Sequence, residues 1–323
     1  MNQAWKNRFT LMPTPMAGLA LAIASLGWCW ENAAPFHGMA QTGSAVIAAV
    51  MLLGLTLKFV LHPQLLWQDL KHPVVGSVVP TFSMALMVVS HALATYLPLA
   101  GLVLWLAAVI LHLAFLACFV FLRLSRFELH HMVPSWFVPP VGIIVADVTF
   151  PGGALAPLAQ GLMVFGLSAY ALMLPVMLYR LIFCHQVPDA AKPTIAILAA
   201  PASLSLAGYL TVTAYPSVLL VALLASIGLL MTLVIYLAFF RLLRLPFSPA
   251  YAAFTFPMVI GATALYKTAH WMSTQPLLAD YAHQVQVLAL AELLIATVVV
   301  SYVIVRYLAH YCTAEVGYRR AVM

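Results

Sequence analysis

The chain has 323 residues, 65% of them hydrophobic and 7% charged, with a mean hydropathy of +1.05. A soluble domain carries roughly 25% charged residues, so this chain cannot clothe itself in a water-compatible surface, and a soluble enzyme is excluded. The net charge of +6 and pI near 9.2 do not point to nucleic acid, because the basic residues stand at the ends of apolar stretches rather than in one patch. The partner they imply is the lipid bilayer.

A membrane span needs about 20 apolar residues. In chain order the candidates are 13–31, 42–61, 74–95, 98–122, 134–150, 157–183, 194–214, 217–240, 249–273 and 284–308. The stretch from Met16 to Trp30 follows basic residues as a signal peptide would, but it fits the repeat described below and is read as the first span. Connections are short, so residues 1–323 are expected to form one all-α, polytopic membrane domain. Its four cysteines, Cys29, Cys118, Cys184 and Cys312, show no paired spacing, so no metal site or cofactor is expected.

Basic residues resist translocation and so report orientation. Lys6 and Arg8 precede the first span, Lys58 and Lys71 flank the second connection, and Arg123 and Arg126 follow the fourth span. Arg180 and Lys192 follow the sixth, Arg241 and Arg244 the eighth, and Arg306, Arg319 and Arg320 the tenth. With ten spans all but one of the 14 lysines and arginines fall on one side. That side is expected to be the cytoplasm, with both termini there and the protein in the cell (inner or plasma) membrane. Lys267 is the exception.

Odd-numbered spans each carry a proline: Pro15, Pro80, Pro140, Pro201 and Pro257, separated by 65, 60, 61 and 56 residues. Such a period describes a helical hairpin, out through a proline-broken helix and back through a regular one. Five hairpins in parallel are expected, at 13–61, 74–122, 134–183, 194–240 and 249–308. An interior proline frees a backbone carbonyl and kinks a helix, and lipid does not tolerate free carbonyls. The odd helices are therefore expected to form an inner ring of kinked helices lining a pore, with the even helices outside. Small and hydroxyl residues follow the prolines: Gly18, Thr81, Ser83, Gly142, Ser203, Ser205, Gly261 and Thr263.

Four motifs then resemble the TehA/SLAC1 family of tellurite-resistance and C4-dicarboxylate transporters and plant guard-cell anion channels. They are His72-Pro73, Val138-Pro139-Pro140-Val141, Leu198-Ala199-Ala200-Pro201-Ala202 and Phe254-Thr255-Phe256. The resemblance implies a five-hairpin ring, a homotrimer, and a central anion pathway gated by one phenylalanine, which falls on Phe256. The residues preceding the other prolines are Thr14, Val79, Pro139 and Ala200, so Phe256 is the one large aromatic at that level. Pro257 departs from the family, where glycine commonly follows the gate, and Leu174 rather than an acidic residue precedes Pro175.

Ionisable residues at membrane depth are functional candidates. Lys267, His91, Asp147 and Glu292 are expected near the outer half, where Lys267 with His91 attracts anions or, alternatively, pairs with Glu292 or Asp147. The leading expectation is a gradient-driven channel or transporter, not an enzyme, for small inorganic anions, C4-dicarboxylates such as malate, or tellurite-related oxyanions. The alternative is a proton-coupled dicarboxylate carrier using Asp147, His91 and Lys267. A remote one is a haem-binding redox protein using His91 and His112.

Overall fold

A computed structural model describes residues 9–124, 127–184 and 186–322, with the side chains of the last stretch described as far as Tyr311. Lys6, Arg8 and Arg126 lie outside the described residues, as do the side chains of Cys312, Arg319 and Arg320. No strand occurs among the described residues. The α-helices in chain order are α1 (Met16–Trp30), α2 (Met39–Leu61), α3 (Pro63–Lys71), α4 (Val75–Val78), α5 (Thr81–Ala94) and α6 (Pro98–Leu124). There follow α7 (Val138–Val141), α8 (Val145–Val148), α9 (Ala156–Phe183), α10 (Ala200–Val212), α11 (Val218–Leu242), α12 (Phe256–Ser273) and α13 (Ala279–Val322). Among the described residues, seven helical stretches are long and apolar enough to cross a membrane. Met16–Trp30 and Pro134–Val148 are shorter apolar helices, the second built of 3-10 turns and four-residue α-helical pieces.

Burial divides them. In the stretches 75–94 and 189–212, 67% and 72% of the apolar window is buried inside the protein, against 28% to 39% for α2, α6, the stretch 153–183, α11 and α13. A helix apolar all round and buried on every face belongs in a protein interior, and α1 and α12 share this character, with most of their residues buried. Helix α1 packs on α5, α5 on α8, α8 on α10, α10 on α12, and α12 returns to α1. The long helices α2, α6, α9, α11 and α13 each pack against their buried neighbours in the chain.

The prolines act differently from the expected kinks, and this is a correction. Pro15 and Pro80 cap α1 and α5, and Pro201 and Pro257 occupy the first turns of α10 and α12. Pro140 closes the short turn α7, just before a 3-10 turn at Gly142–Ile144. Four of the five thus open an α-helix rather than interrupt one, because the first amides of a helix have no intrahelical acceptor and a missing N–H costs nothing there. The chain reaches three of these junctions through tight 3-10 turns, at Pro134–Phe137, Asp189–Ala199 and Pro249–Phe254. The proline that does lie inside a long helix is Pro175, in α9.

Hydroxyl side chains occupy these junctions for the same reason. Thr81 Oγ1 donates to the Val78 carbonyl at 2.7 Å, Ser83 Oγ to Pro80 at 2.8 Å and Thr194 Oγ1 to Ala191 at 2.6 Å. They satisfy carbonyls that apolar surroundings would otherwise strand.

Helices α1 and α2 meet where Gly27 faces Ala40 and Ser44. A Cβ at Gly27 would lie 2.3 Å from the Ala40 carbonyl oxygen and 2.0 Å from Ser44 Oγ. The serine can rotate away but the carbonyl cannot, so Gly27→Ala should destabilise the protein by about 1–3 kcal/mol. A lower unfolding midpoint in detergent checks this, and an unchanged midpoint would show that the α1–α2 contact is looser.

Candidate functional site

A cavity of about 760 Å³ runs into the protein between the buried helices, and all five odd-numbered segments wall it. Thr14, Pro15 and Leu21 contribute from the first, Val78, Thr81 and Met84 from the third, and Phe137, Val141 and Gly142 from the fifth. Ala200, Pro201 and Leu204 come from the seventh and Ala252, Phe256 and Pro257 from the ninth. From the long exposed helices only Lys58, at the end of α2, reaches the wall. The cavity mouth carries Asp69, His72, His130 and His131, all on connections that the basic-residue pattern assigns to one side.

Phe256 is 8% exposed and lines the cavity at the start of α12. Its neighbour Phe254 points elsewhere: it is fully buried and packs against Tyr251 and Phe239, with ring centroids 4.8 and 5.5 Å away. Of the residues at the same level, Thr14 and Ala200 also line the cavity. The Pro139 carbonyl instead accepts a hydrogen bond from His112 Nε2 at 2.8 Å.

The sequence marks Lys58 as an orientation signal, and the structure gives it a further place. It is 5% exposed, and its Nζ donates to Thr14 Oγ1 and to the Met12 carbonyl, each at 3.0 Å. Asp69 Oδ2 lies 3.6 Å from the ammonium and accepts the Thr14 hydroxyl. This clasp ties α2, the entry to α1 and α3 together on the cavity wall. A signal for it exists in the sequence, since Lys58 continues the buried stripe Ala45, Ala48, Leu52 and Leu55 at helical spacing. His72 caps α4, with Nδ1 accepting the amides of Val74 and Val75 at 3.2 and 3.1 Å.

None of Lys267, His91, Asp147 and Glu292 lines this cavity. Lys267 and His91 do lie within electrostatic reach of each other, and His91 stacks on Trp28 at a centroid distance of 4.1 Å. The pairing of Lys267 with Glu292 or Asp147 is corrected: among the described residues no carboxylate oxygen lies within 4 Å of its ammonium. Glu292 instead accepts a hydrogen bond from Tyr236 at 2.5 Å, opposite Gly261. Gly261 is six residues before Lys267, about 9 Å along the helix, so the two charges are offset in depth. Asp147 is fully buried, its two carboxyl oxygens have no hydrogen-bond partner within the protein, and it packs against Gly208 of α10.

The haem reading loses its second ligand. His112 is fully buried with Nε2 on the Pro139 carbonyl and Nδ1 3.1 Å from Ser83 Oγ, so both ring nitrogens are engaged. Its position, next to the proline-rich junction of the fifth segment, gives it a structural task.

Comparison with known proteins agrees with this architecture. The family described as SLAC1, voltage-dependent anion channel, matches residues 10–308. An uncharacterized transporter of Methanocaldococcus jannaschii is 27% identical over 236 residues, covering 65% of this chain and 68% of that protein. A second uncharacterized transporter of the same organism is 25% identical over 251 residues, covering 68% of this chain and 71% of its own. With its apolar helices and a cavity walled by five buried segments, this multi-pass membrane chain belongs to the SLAC1 family of voltage-dependent anion channels.

Proposed function

We propose that the protein is a gradient-driven anion channel of the cell membrane, that the cavity is the cytoplasmic half of its pore, and that Phe256 closes the inner end. The observation that carries this reading is the composition of the wall: every odd segment contributes, and Phe256 is the large aromatic that the ninth adds to it. The closed succession of contacts from α1 through α5, α8, α10 and α12 supports a ring of five hairpins with the long helices outside. Both termini then lie in the cytoplasm. The substrates are small anions, inorganic or carboxylate, with malate and tellurite-related oxyanions as the classes the family resemblance brings. A hydrophobic constriction that excludes water blocks ions without a charged barrier.

Reconstitution into liposomes tests this. Chloride, nitrate and malate gradients should drive currents whose reversal potentials follow the anion, and vesicles no leakier than protein-free ones would end the proposal. Native mass spectrometry should show three 35.1 kDa chains together, whereas a monomer would remove the trimer.

A second reading, the proton-coupled carrier, is favoured by one observation: a buried carboxyl group, Asp147, without a partner. Such a group is costly unless it has a task. Malate uptake should then be driven by a pH gradient in the wild type and lose that dependence in Asp147→Asn. Uptake indifferent to the gradient in both proteins would leave the channel reading alone.

A further inference from the structure

The connection after α6 brings three metal-ligating side chains together, two of them on the cavity wall, although the cysteine spacing points to no metal. Glu128 Oε2 lies 3.2 Å from Nε2 of His130 and 3.6 Å from Nδ1 of His131, and all three donor atoms fall within 4.8 Å of one another. A tetrahedral zinc ion holds nitrogen and oxygen ligands at about 2.0–2.2 Å, which sets the donors roughly 3.3 Å apart. The observed spacing is already close to that. Two imidazoles and a carboxylate also form a donor set that suits zinc and its neighbours in the first transition row.

The loop is held in place. Leu129–His131 forms a 3-10 turn, Arg180 of α9 donates to the His130 carbonyl at 3.0 Å, and Phe127 sits edge-on to Trp136 at 6.2 Å. The three side chains are between 41% and 57% exposed. Ion pairs that exposed contribute between zero and about 1 kcal/mol, so mutual attraction accounts poorly for one carboxylate oxygen meeting two imidazoles.

We propose that Glu128, His130 and His131 bind a divalent transition-metal ion, zinc by donor set, at the entrance to the cavity. Both histidines wall that cavity. Three protein ligands leave the remaining coordination position to water or to an incoming anion. An anion arriving from this side meets the ion first, coordinates to it and is delayed, so the metal slows flux. This second part rests on the channel reading above; the metal site itself does not.

Cobalt(II) is the probe, because tetrahedral coordination gives it strong visible absorption. The purified full-length protein should bind one Co²⁺ per chain with such a spectrum, and Zn²⁺ should abolish it by displacement. Affinity should fall at least about tenfold in His131→Ala and separately in Glu128→Gln, the latter keeping the shape of the side chain. No visible band, or equal affinity in the wild type and both variants, overturns the site, since the chain has 11 histidines that could bind elsewhere. In liposomes, the ratio of anion flux with Zn²⁺ to flux without it should drop below one for the wild type and return to one for His131→Ala. A ratio of one for the wild type overturns the role at the entrance. A protein that shows the cobalt spectrum but carries no anion keeps the metal site and overturns the channel reading.

Discussion

Replacing Phe256 with alanine should raise anion flux through the reconstituted protein on the order of tenfold. The aromatic side chain lines the cavity on the first turn of α12, with Pro257 next to it. A residue before proline has restricted backbone freedom, so the side chain is held where it stands, and truncation removes the obstruction without a compensating backbone shift. Phe254 is the matched control. It is fully buried between Tyr251 and Phe239, so Phe254→Ala should cost about 3–5 kcal/mol of stability and leave flux unchanged. Phe256→Ala should cost less, because one side of the group already borders empty space. If Phe256→Ala instead lowers the unfolding midpoint as Phe254→Ala does and leaves flux alone, Phe256 is a packing residue and the gate lies elsewhere.

The contrast between these two phenylalanines also marks how far the sequence was legible. Hydropathy located the long apolar helices but not α3, which is short and polar enough to read as a connection, and the spacing of prolines and small residues separated the buried segments from the exposed ones. Both are properties of one dimension, and the fold keeps them. What hydropathy could not show is what a proline does at its own position: the backbone on its N-terminal side decides whether it kinks a helix or opens one. In the third, seventh and ninth segments the chain arrives through short or 3-10 turns, so the prolines there open helices. Side-chain partnerships were the least legible. Pairing depends on depth and on the direction a residue faces, and Lys267 and Glu292 differ in depth by about 9 Å although both sit in the ninth and tenth segments. Lys58 was hidden for the opposite reason. A lysine at the end of a span is commonly an orientation signal, and that role masks its place on a buried stripe. The periodicity of α2 carried that information.

Lys58→Met should destabilise the protein by about 1–3 kcal/mol and lower its apparent anion affinity on the order of tenfold. The first effect follows from what the ammonium leaves behind. Asp69 Oδ2, Thr14 Oγ1 and the Met12 carbonyl all converge on it, and its loss leaves buried oxygens unpaired, at about 1–3 kcal/mol, while Asp69, a quarter exposed, turns to water. The second follows from where it sits. A positive charge on a largely apolar wall is weakly screened, and at an effective dielectric near 20 a unit charge at contact distance is worth about 4 kcal/mol. Asp69 opposes part of this, so Asp69→Asn should shift anion affinity the other way, upward. The double variant Lys58→Met with Asp69→Leu separates structure from function. Replacing a buried ion pair with apolar side chains of similar size is often neutral or stabilising, so the unfolding midpoint should recover. Anion affinity should not, because the cation is still missing. Recovery of both would mean that the clasp only holds α1, α2 and α3 together. Recovery of stability alone would mean that the Lys58 ammonium itself draws the anion to the cavity wall.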